Sequence, residues 1–554
     1  MLETEWVNIA SHLPAMALLQ PHRPAVVFPH GRDRTGRVAY THYTFKQLDD
    51  ESDRLARGLA AIGIGRGTRT VLMVTPSLEF FALTFALFRA GAVPVMVDPG
   101  MGVKNLGTCL SEAAPEAFIG IRKAHLARVL LGWGRPTVKT FVVADGWFPG
   151  VRWNLGEIRE LGDRRPACPP VQTRAEETAA ILFTSGSTGV PKGAVYSHGI
   201  FASQVEMIRH EYGIEPGEID LPTFPLFALF APALGMTAII PDMDATRPAS
   251  VDPKKIFEAI ENFGVTNMFG SPALLRRVGS FGSPLGVRLT TLRRVISAGA
   301  PMPPDVLEQF TTLLPHGTQV FTPYGATESL PVASIGSDEI LTETRHETAK
   351  GKGVCVGKPV QGMTVRVIRI TDDPIARWSD DLELPTGEIG ELAVRGPVVT
   401  HSYYNRPQST ELAKIRGMDE EIWHRMGDVG YFDDRGRLWF CGRKSHRVIT
   451  DQGTMFTIPC EGVFNVHPDV LRTALVGVAR GGKTKPVLCV ESRRPLPSAD
   501  KDRVIGELRA LGASRNHTAG IADFLFHPAF PVDVRHNAKI FREKLAIWAA
   551  KELS

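Results

Sequence analysis

Apolar, β-branched runs recur along the chain at 70–74, 93–97, 140–143, 178–183, 237–240 and 294–297, with helix-like stretches such as 44–62, 253–263 and 304–313 between them. Such alternation predicts α/β architecture on largely parallel sheets. The most apolar stretch, 80–97, is interrupted by Arg89 and Pro94, and Gly91 marks a helix end. It predicts a buried helix leading into a buried strand rather than a membrane span. After Met363 the texture changes. "TVRVIRI", "GEIGELAVRG" and "GYFDDRGRLWFCGR" read as short strands joined by Gly and Asp turns, a more antiparallel β module. Beyond Arg443 come further strands ("VLCVES") and helices (501–511 and 538–551), which places a domain boundary at Gly442–Ser445: a large domain over 1–442 and a small one over 443–554.

Composition narrows the function classes. A chain of 554 residues is too long for one ordinary core, and 43% hydrophobic content is ample for packed domains. The net charge of +4, from 63 basic and 59 acidic residues, carries no nucleic-acid footprint. The six cysteines, Cys109, Cys168, Cys355, Cys441, Cys460 and Cys489, form no CxxC pair, so neither a zinc site nor a disulfide framework is implied and a reducing cytoplasm fits. The acidic start "MLETEWVNIASHLP" lacks the features of a signal peptide.

The densest chemistry is "ILFTSGSTGVPKGAVYSH", 181–198. An apolar run is followed by three glycines, four hydroxyl residues and Lys192 within 184–193. It is not a P-loop, which needs glycine immediately before the lysine, where Pro191 stands. It fits the G-x-G-x-x-G dinucleotide fingerprint only if that pattern is relaxed. Its content is nonetheless that of a phosphate cradle: glycines let backbone N–H groups approach an anion, hydroxyls donate, and a lysine adds a point charge.

This stretch resembles the phosphate-binding motif of the adenylate-forming superfamily, which comprises acyl-CoA synthetases, peptide-synthetase adenylation domains and luciferases. Other segments match in the same order: "SAGAPMP" (297–303), "TPYGATES" (322–329), "TGEIGELAVRGP" (386–397), "HRMGDVGYFDDRGRLWFCGR" (424–443) and "NAKIFREKL" (537–545). The resemblance implies a large N-terminal domain of parallel α/β subdomains plus a β-rich subdomain, followed by a small mobile α+β C-terminal domain. It also implies ATP and Mg²⁺ as cofactors: a carboxylate attacks the α-phosphate of ATP to give an acyl-adenylate and pyrophosphate. By the same resemblance Thr184, Ser185, Gly186, Ser187, Thr188, Gly189 and Lys192 hold phosphates, and Gly299, Ala300 and Pro301 wall the adenine. Tyr324 would stack on adenine beside Gly325 and Ala326, and Thr327 would touch the α-phosphate. Glu328 would bind Mg²⁺, Asp428 and Arg443 would serve the ribose, and Lys539 would bridge the carboxylate and the α-phosphate. The catalytic set would be Thr184, Lys192, Glu328 and Lys539. Taken singly, each has an ordinary structural reading: Asp428 a turn former, Glu328 a helix cap, Lys539 a solvated charge.

Two segments depart from the superfamily pattern. A gate motif that commonly carries histidine reads "FPLFALFAPALG" here, with Ala228 in the histidine place. The segment after the hinge, "GRKSHRVITDQGTMFTIPCEG", has Ser445 at the hinge position and a late Gly453, which argues against standard thioester formation. His446 reads as a surface-loop histidine. Phe224, Ala228, Phe230, Phe269 and Leu330 are candidates for an acyl pocket from their nearness to motifs. Taken whole, the variants resemble one branch, the β-lactone synthetases of bacterial long-chain olefin biosynthesis. That implies a long-chain 2-alkyl-3-hydroxy fatty acid as substrate, with its own 3-hydroxyl closing the ring, and companion pathway enzymes: a thiolase-like condensing enzyme, a reductase and a decarboxylating hydrolase. The alternatives are a long-chain acyl-CoA or acyl-AMP ligase, sharing every ATP-site residue, and a non-catalytic nucleotide-binding subunit, against which the retained Lys192, Glu328, Asp428 and Lys539 argue.

Overall fold

Two large sheets and a small terminal one organise the chain in a computed structural model, which describes residues 6–135, 137–183, 191–532 and 540–553. The first sheet has seven strands in the order Trp153–Asn154, Thr140–Val143, Ala117–Gly120, Arg69–Met73, Val93–Met96, Thr178–Phe183 and Gly193–Ser197. Every pair is parallel except the last. Val71, Phe118 and Ile181 point into one core cluster and Leu72, Ile119 and Ala180 into another. Burial on both faces is why these strands read as continuous apolar runs rather than alternating ones.

The apolar stretch over 80–97 is a helix and a strand, Leu78–Arg89 and Val93–Met96. Ser77 caps the helix by accepting from the Phe80 N–H, and Gly91 turns the chain with φ of 68°. Arg89, which interrupts the hydrophobic run, is buried against Asp49 at 2.6 Å and Asp53 at 3.3 Å. Among the described residues no helix is long and apolar enough to cross a membrane.

The second sheet has fourteen strands. Its parallel part runs through Pro24–Arg32, Thr237–Ile239, Ile219–Pro222, Asn267–Phe269, Arg294–Ile296 and Gln319–Ala326. Between these strands lie helices such as Pro253–Phe263, started by the Asp252 cap and Pro253 and ended by Gly264 at φ of 62°. Antiparallel strands then continue the same sheet: Ser329–Gly336, Val354–Pro359, Leu438–Arg443, Ile422–Phe432, Gly390–Arg395 and Thr364–Ile368. The antiparallel part therefore begins at Ser329, earlier than the change of texture after Met363 suggests. The two linking strands carry Gly336 and Gly357 and little β-branched alternation, so the sequence gives them no strand signal.

The chain leaves this sheet at Arg443 and passes through a 3₁₀ turn, Lys444–His446, in which His446 is half-buried. A three-stranded sheet follows, Val470–Arg480, Lys483–Ser492 and Asp523–Phe526, with helices Thr457–Phe464, Ser498–Ala513 and Arg542–Glu552. It encloses a separate core that includes Phe464, Leu475, Leu488 and Leu508. Ion pairs run along the junction. Glu391 is fully buried and accepts from Arg425 at 2.7 Å and from Lys444 at 3.1 Å, and Arg447 pairs with Asp372 at 2.5 Å. All six cysteines are free thiols.

Candidate active site

Strand Gln319–Ala326 reverses into Ser329–Gly336 through two residues, Thr327 and Glu328, with Ala326 paired to Ser329. Glu328 is thus the tip of a hairpin and not the cap of a helix. Gly325 permits the tight closure, because a Cβ there would lie 2.6 Å from the Ser329 carbonyl oxygen. Four side chains from a strand, a helix and one loop clamp the turn. Tyr196 donates to the Thr327 carbonyl and Gln204 to the Leu330 carbonyl at 2.9 Å. Thr400 gives both its N–H (2.9 Å) and its hydroxyl (3.1 Å) to the Glu328 carbonyl. Tyr403 donates its hydroxyl to Glu328 Oε1 at 2.7 Å. The carboxylate is held by one oxygen, leaving the other for a ligand.

Beneath the turn lies Lys414, which the sequence did not single out. Its ammonium donates to the Thr400 carbonyl and, at 3.2 Å, to the Thr400 hydroxyl. Burial pulls its pKa down to about 7, with only Glu328 opposing the shift. Lys192 stands above the same group, its Nζ 5.0 Å from the centre of the Tyr403 ring.

Asp428 and Arg443 lie opposite each other in the register of their two strands, and the guanidinium reaches the carboxylate at 2.9 Å. Tyr324 donates to the other carboxylate oxygen at 2.6 Å. Burial pushes the Asp428 carboxyl up while Arg443 and the Tyr324 hydrogen bond hold it down. Burial and the neighbouring Asp428 charge push the Tyr324 phenol well above its ordinary value, so it stays a donor.

These groups border one cavity of about 1820 Å³, walled at its polar end by Gly299, Gly325, Ala326, Thr327, Glu328 and Arg443. Lys192 lies on the wall too, and Tyr324 and Asp428 are next in sequence to the wall residues Gly325 and Gly427. Ala300 and Pro301 follow Gly299 in its loop and stand outside the wall. Of the acyl candidates, Phe224, Phe230, Phe269 and Leu330 face the cavity. Ala228 does not. It ends the short helix Pro225–Ala228 with its methyl fully buried in the core between the sheets, because the turn that aims Phe227 at the cavity aims the next residue inward. Thr184, Ser185, Gly186, Ser187, Thr188, Gly189 and Lys539 lie outside the described residues.

Among the described residues no group of three His, Cys, Asp or Glu side chains could hold a metal by itself. Glu328 offers one hard oxygen at the cavity, which fits a Mg²⁺ ion whose other ligands come from nucleotide phosphates and water. Tyr196, Gln204, Thr400, Tyr403 and Lys414 escape sequence reading because they are scattered over separate segments of the chain with no motif of their own. The one available hint is the aromatic pair in "SYYN", 402–405.

Comparison with known proteins agrees with this geometry. The model of the AMP-binding enzyme family matches residues 15–404. The chain is 52% identical to the olefin beta-lactone synthetase of Xanthomonas campestris pv. campestris, over 99% of this chain and 98% of that one. It is 51% identical to the olefin beta-lactone synthetase of Stenotrophomonas maltophilia, with the same coverage. Among solved structures, the amide bond synthetase McbA from Marinactinospora thermotolerans superposes with a TM-score of 0.76 at 22% identity, over 97% of this chain and 99% of McbA. O-succinylbenzoate CoA synthetase from Bacillus subtilis, in complex with AMP, gives 0.72 at 21%, over 97% and 98%. At these identities the two structures establish the fold.

Proposed function

The chain belongs to the AMP-binding enzyme family, and on that premise we propose that it converts a long-chain 2-alkyl-3-hydroxyalkanoic acid to a β-lactone, consuming ATP and releasing AMP and pyrophosphate. The observation that carries the reading is identity of just over half, along essentially the whole chain, to two olefin beta-lactone synthetases.

The substrate carboxylate attacks the α-phosphorus of ATP, and the bond to pyrophosphate breaks. This step needs positioning and charge neutralisation more than proton transfer. Lys192 and the hydroxyl and glycine residues 184–189 hold the phosphates. Asp428, paired with Arg443, accepts from the ribose hydroxyls. Glu328 would hold Mg²⁺, which would supply neutralisation of phosphate charge when bound. Lys539 reaches the carboxylate and α-phosphate from the mobile small domain, which pivots at Gly442–Ser445. In the second step the substrate's 3-hydroxyl oxygen bonds to the activated acyl carbon, the bond from that carbon to the AMP oxygen breaks, and the hydroxyl proton passes to solvent. A nucleophile on the same molecule has a high effective concentration once its rotamer is held. The enzyme acts beside a thiolase-like condensing enzyme, a reductase and a decarboxylating hydrolase.

The test is incubation with ATP, Mg²⁺ and a 2-alkyl-3-hydroxy fatty acid without CoA. AMP, pyrophosphate and lactone should appear, and added CoA should remain unconsumed. Acyl-CoA formed from plain fatty acids, with no lactone from the hydroxy acid, would make the protein a long-chain acyl-CoA ligase instead.

A further inference from the structure

Along the cavity wall the rings of the segment Phe224–Leu234 fall into two groups. Phe227 pairs with Phe224 (5.6 Å between centroids) and stacks on Phe269 (4.3 Å). Phe230 instead faces Phe201 at 6.4 Å, which in turn meets Phe88 at 5.6 Å and Tyr196 at 4.7 Å. Among the described residues no ring contact joins one group to the other, yet all of these rings line the same cavity.

The two sides lead to different places. On the Phe230 side the wall continues with Ile9, Thr84, Val205 and Ala233, all buried, so this arm ends inside the protein between the two large sheets. On the Phe227 side it continues with Phe28, Ile240 and Met243 along the carboxyl ends of the second sheet's parallel strands. That arm reaches Arg32, Asp242 and Asp244, and its rim pair Arg32–Asp242 (2.8 Å) is solvent-accessible, so it opens to the surface. A third extension, under the helices Val103–Ala113 and Arg122–Leu131, is of mixed character: Leu106, Ala124, Ala127 and Trp133 line it together with Lys123, Lys192 and Arg406, it carries no cluster of stacked rings among the described residues, and through Lys192 it adjoins the side of the site proposed to hold phosphate.

We propose that the two apolar arms each take one of the two alkyl chains of a branched acid, the closed arm limiting the length of its chain and the open arm leaving the other unrestricted. This rests on the lactone-forming reading, since a plain fatty acid has only one chain to place. An apolar arm gains about fourfold in binding per methylene it buries, so the closed arm should show a rising series and then a sharp limit.

The experiment uses the full-length enzyme and two series of 2-alkyl-3-hydroxy acids, one varied in the 2-alkyl chain and one in the chain on C3, with kcat/KM read from AMP release and lactone identified in each case. One series should rise and then fall at least tenfold past a limiting length, while the other rises to a plateau. Ala233→Phe should move the limit to shorter chains in the first series, costing the long substrate at least tenfold more than the analogue trimmed on that chain. Met243→Trp, on the open arm, should affect only the second series, and it decides the matter if Ala233→Phe does not fold. Two series with the same length profile, or both variants acting equally on both series, would overturn the two-arm assignment while lactone is still made. Absence of lactone from every hydroxy acid would overturn the underlying reaction instead.

Discussion

Lys414→Met probes the buried ammonium under the Glu328 turn. In the unfolded chain this lysine titrates near the ordinary value of 10.5, and in the native protein near about 7. Between those values the unfolded state binds more protons than the native one, so stability rises with pH across that window. Below about 7 both states are protonated and the full penalty of the buried charge is present. The 3.5-unit difference corresponds to about 5 kcal/mol at that limit, of which about 2 kcal/mol is relieved between pH 7 and pH 9. His401 and His424, which also feel Lys414, are both held below their ordinary range, first by burial and then by the nearby ammonium, so neither adds a proton over this interval. The variant has no charge to bury but leaves the Thr400 carbonyl without its partner, a pH-independent cost of about 1–3 kcal/mol. Thermal unfolding of both proteins at pH 7 and pH 9 should therefore show wild type gaining on the variant with pH. For a domain of this size, about 2 kcal/mol corresponds to a relative shift of about 2 °C in Tm. A difference between the two proteins that stays constant with pH would mean that the lysine is charged in the native state, and the reasoning would fail.

Lys539→Ala should lower adenylate formation by orders of magnitude with ATP affinity nearly unchanged, because a transition-state contact is lost; pyrophosphate exchange and equilibrium ATP binding separate the two. Glu328→Gln should raise the Mg²⁺ concentration needed for half-maximal turnover, since an amide oxygen is the poorer hard ligand, and a Mg²⁺ titration giving the wild-type midpoint would assign Glu328 a structural role. Tyr403→Phe removes a hydrogen bond to a carboxylate, an interaction of roughly 1.5–3 kcal/mol, so turnover at fixed Mg²⁺ should drop about tenfold or more while the far-UV spectrum is unchanged. Arg542 contacts Glu461 through both carboxylate oxygens, at 2.8 and 2.7 Å, in the core of the small domain. Arg542→Met would strand that acid and cost about 3–5 kcal/mol, seen as faster hydrogen exchange confined to residues after 446.

How much of this was legible in the sequence differs between kinds of residue. The strands predicted at 70–74, 93–97, 140–143, 178–183, 237–240 and 294–297 all exist within a residue or two, because parallel strands buried on both faces leave unbroken apolar runs. The opposition of Asp428 and Arg443 was also within reach, since "DDRG" between two apolar runs announces a tight antiparallel return. The clamp on Glu328 was not. Tyr196, Gln204 and the loop pair Thr400 and Tyr403 come from three places and meet only when the hairpin docks, and no periodicity encodes a convergence of single polar residues. Lys414 reads as a solvated charge in "ELAKIRG"; it is buried because its strand, Lys414–Arg416, pairs with Ile422–Phe432 and sets it opposite His424. At Ala228 the segment does border the cavity, but a helical rotation decides which residue meets it, and a motif fixes a position without fixing its direction.

The same distinction bears on the chemistry. The charged groups proposed to serve ATP stand at sheet ends, a hairpin tip and a hinge, where the backbone itself places them, so short motifs can carry them. The groups proposed to choose the acid are rings and methyls spread over Phe28, Phe88, Phe201, Phe227, Phe230, Phe269 and Ala233, which line the cavity from elements as far apart in sequence as Phe28 and Phe269. Their contribution is shape, which any apolar residue of fitting volume could supply. A family can therefore hold its nucleotide site nearly fixed in sequence while its acyl site drifts. The nucleotide motifs identify adenylation and say little about what is adenylated. The acceptor has to be read from the cavity: the two proposed arms suit an acid branched next to its carboxyl, and such an acid can carry its own nucleophile.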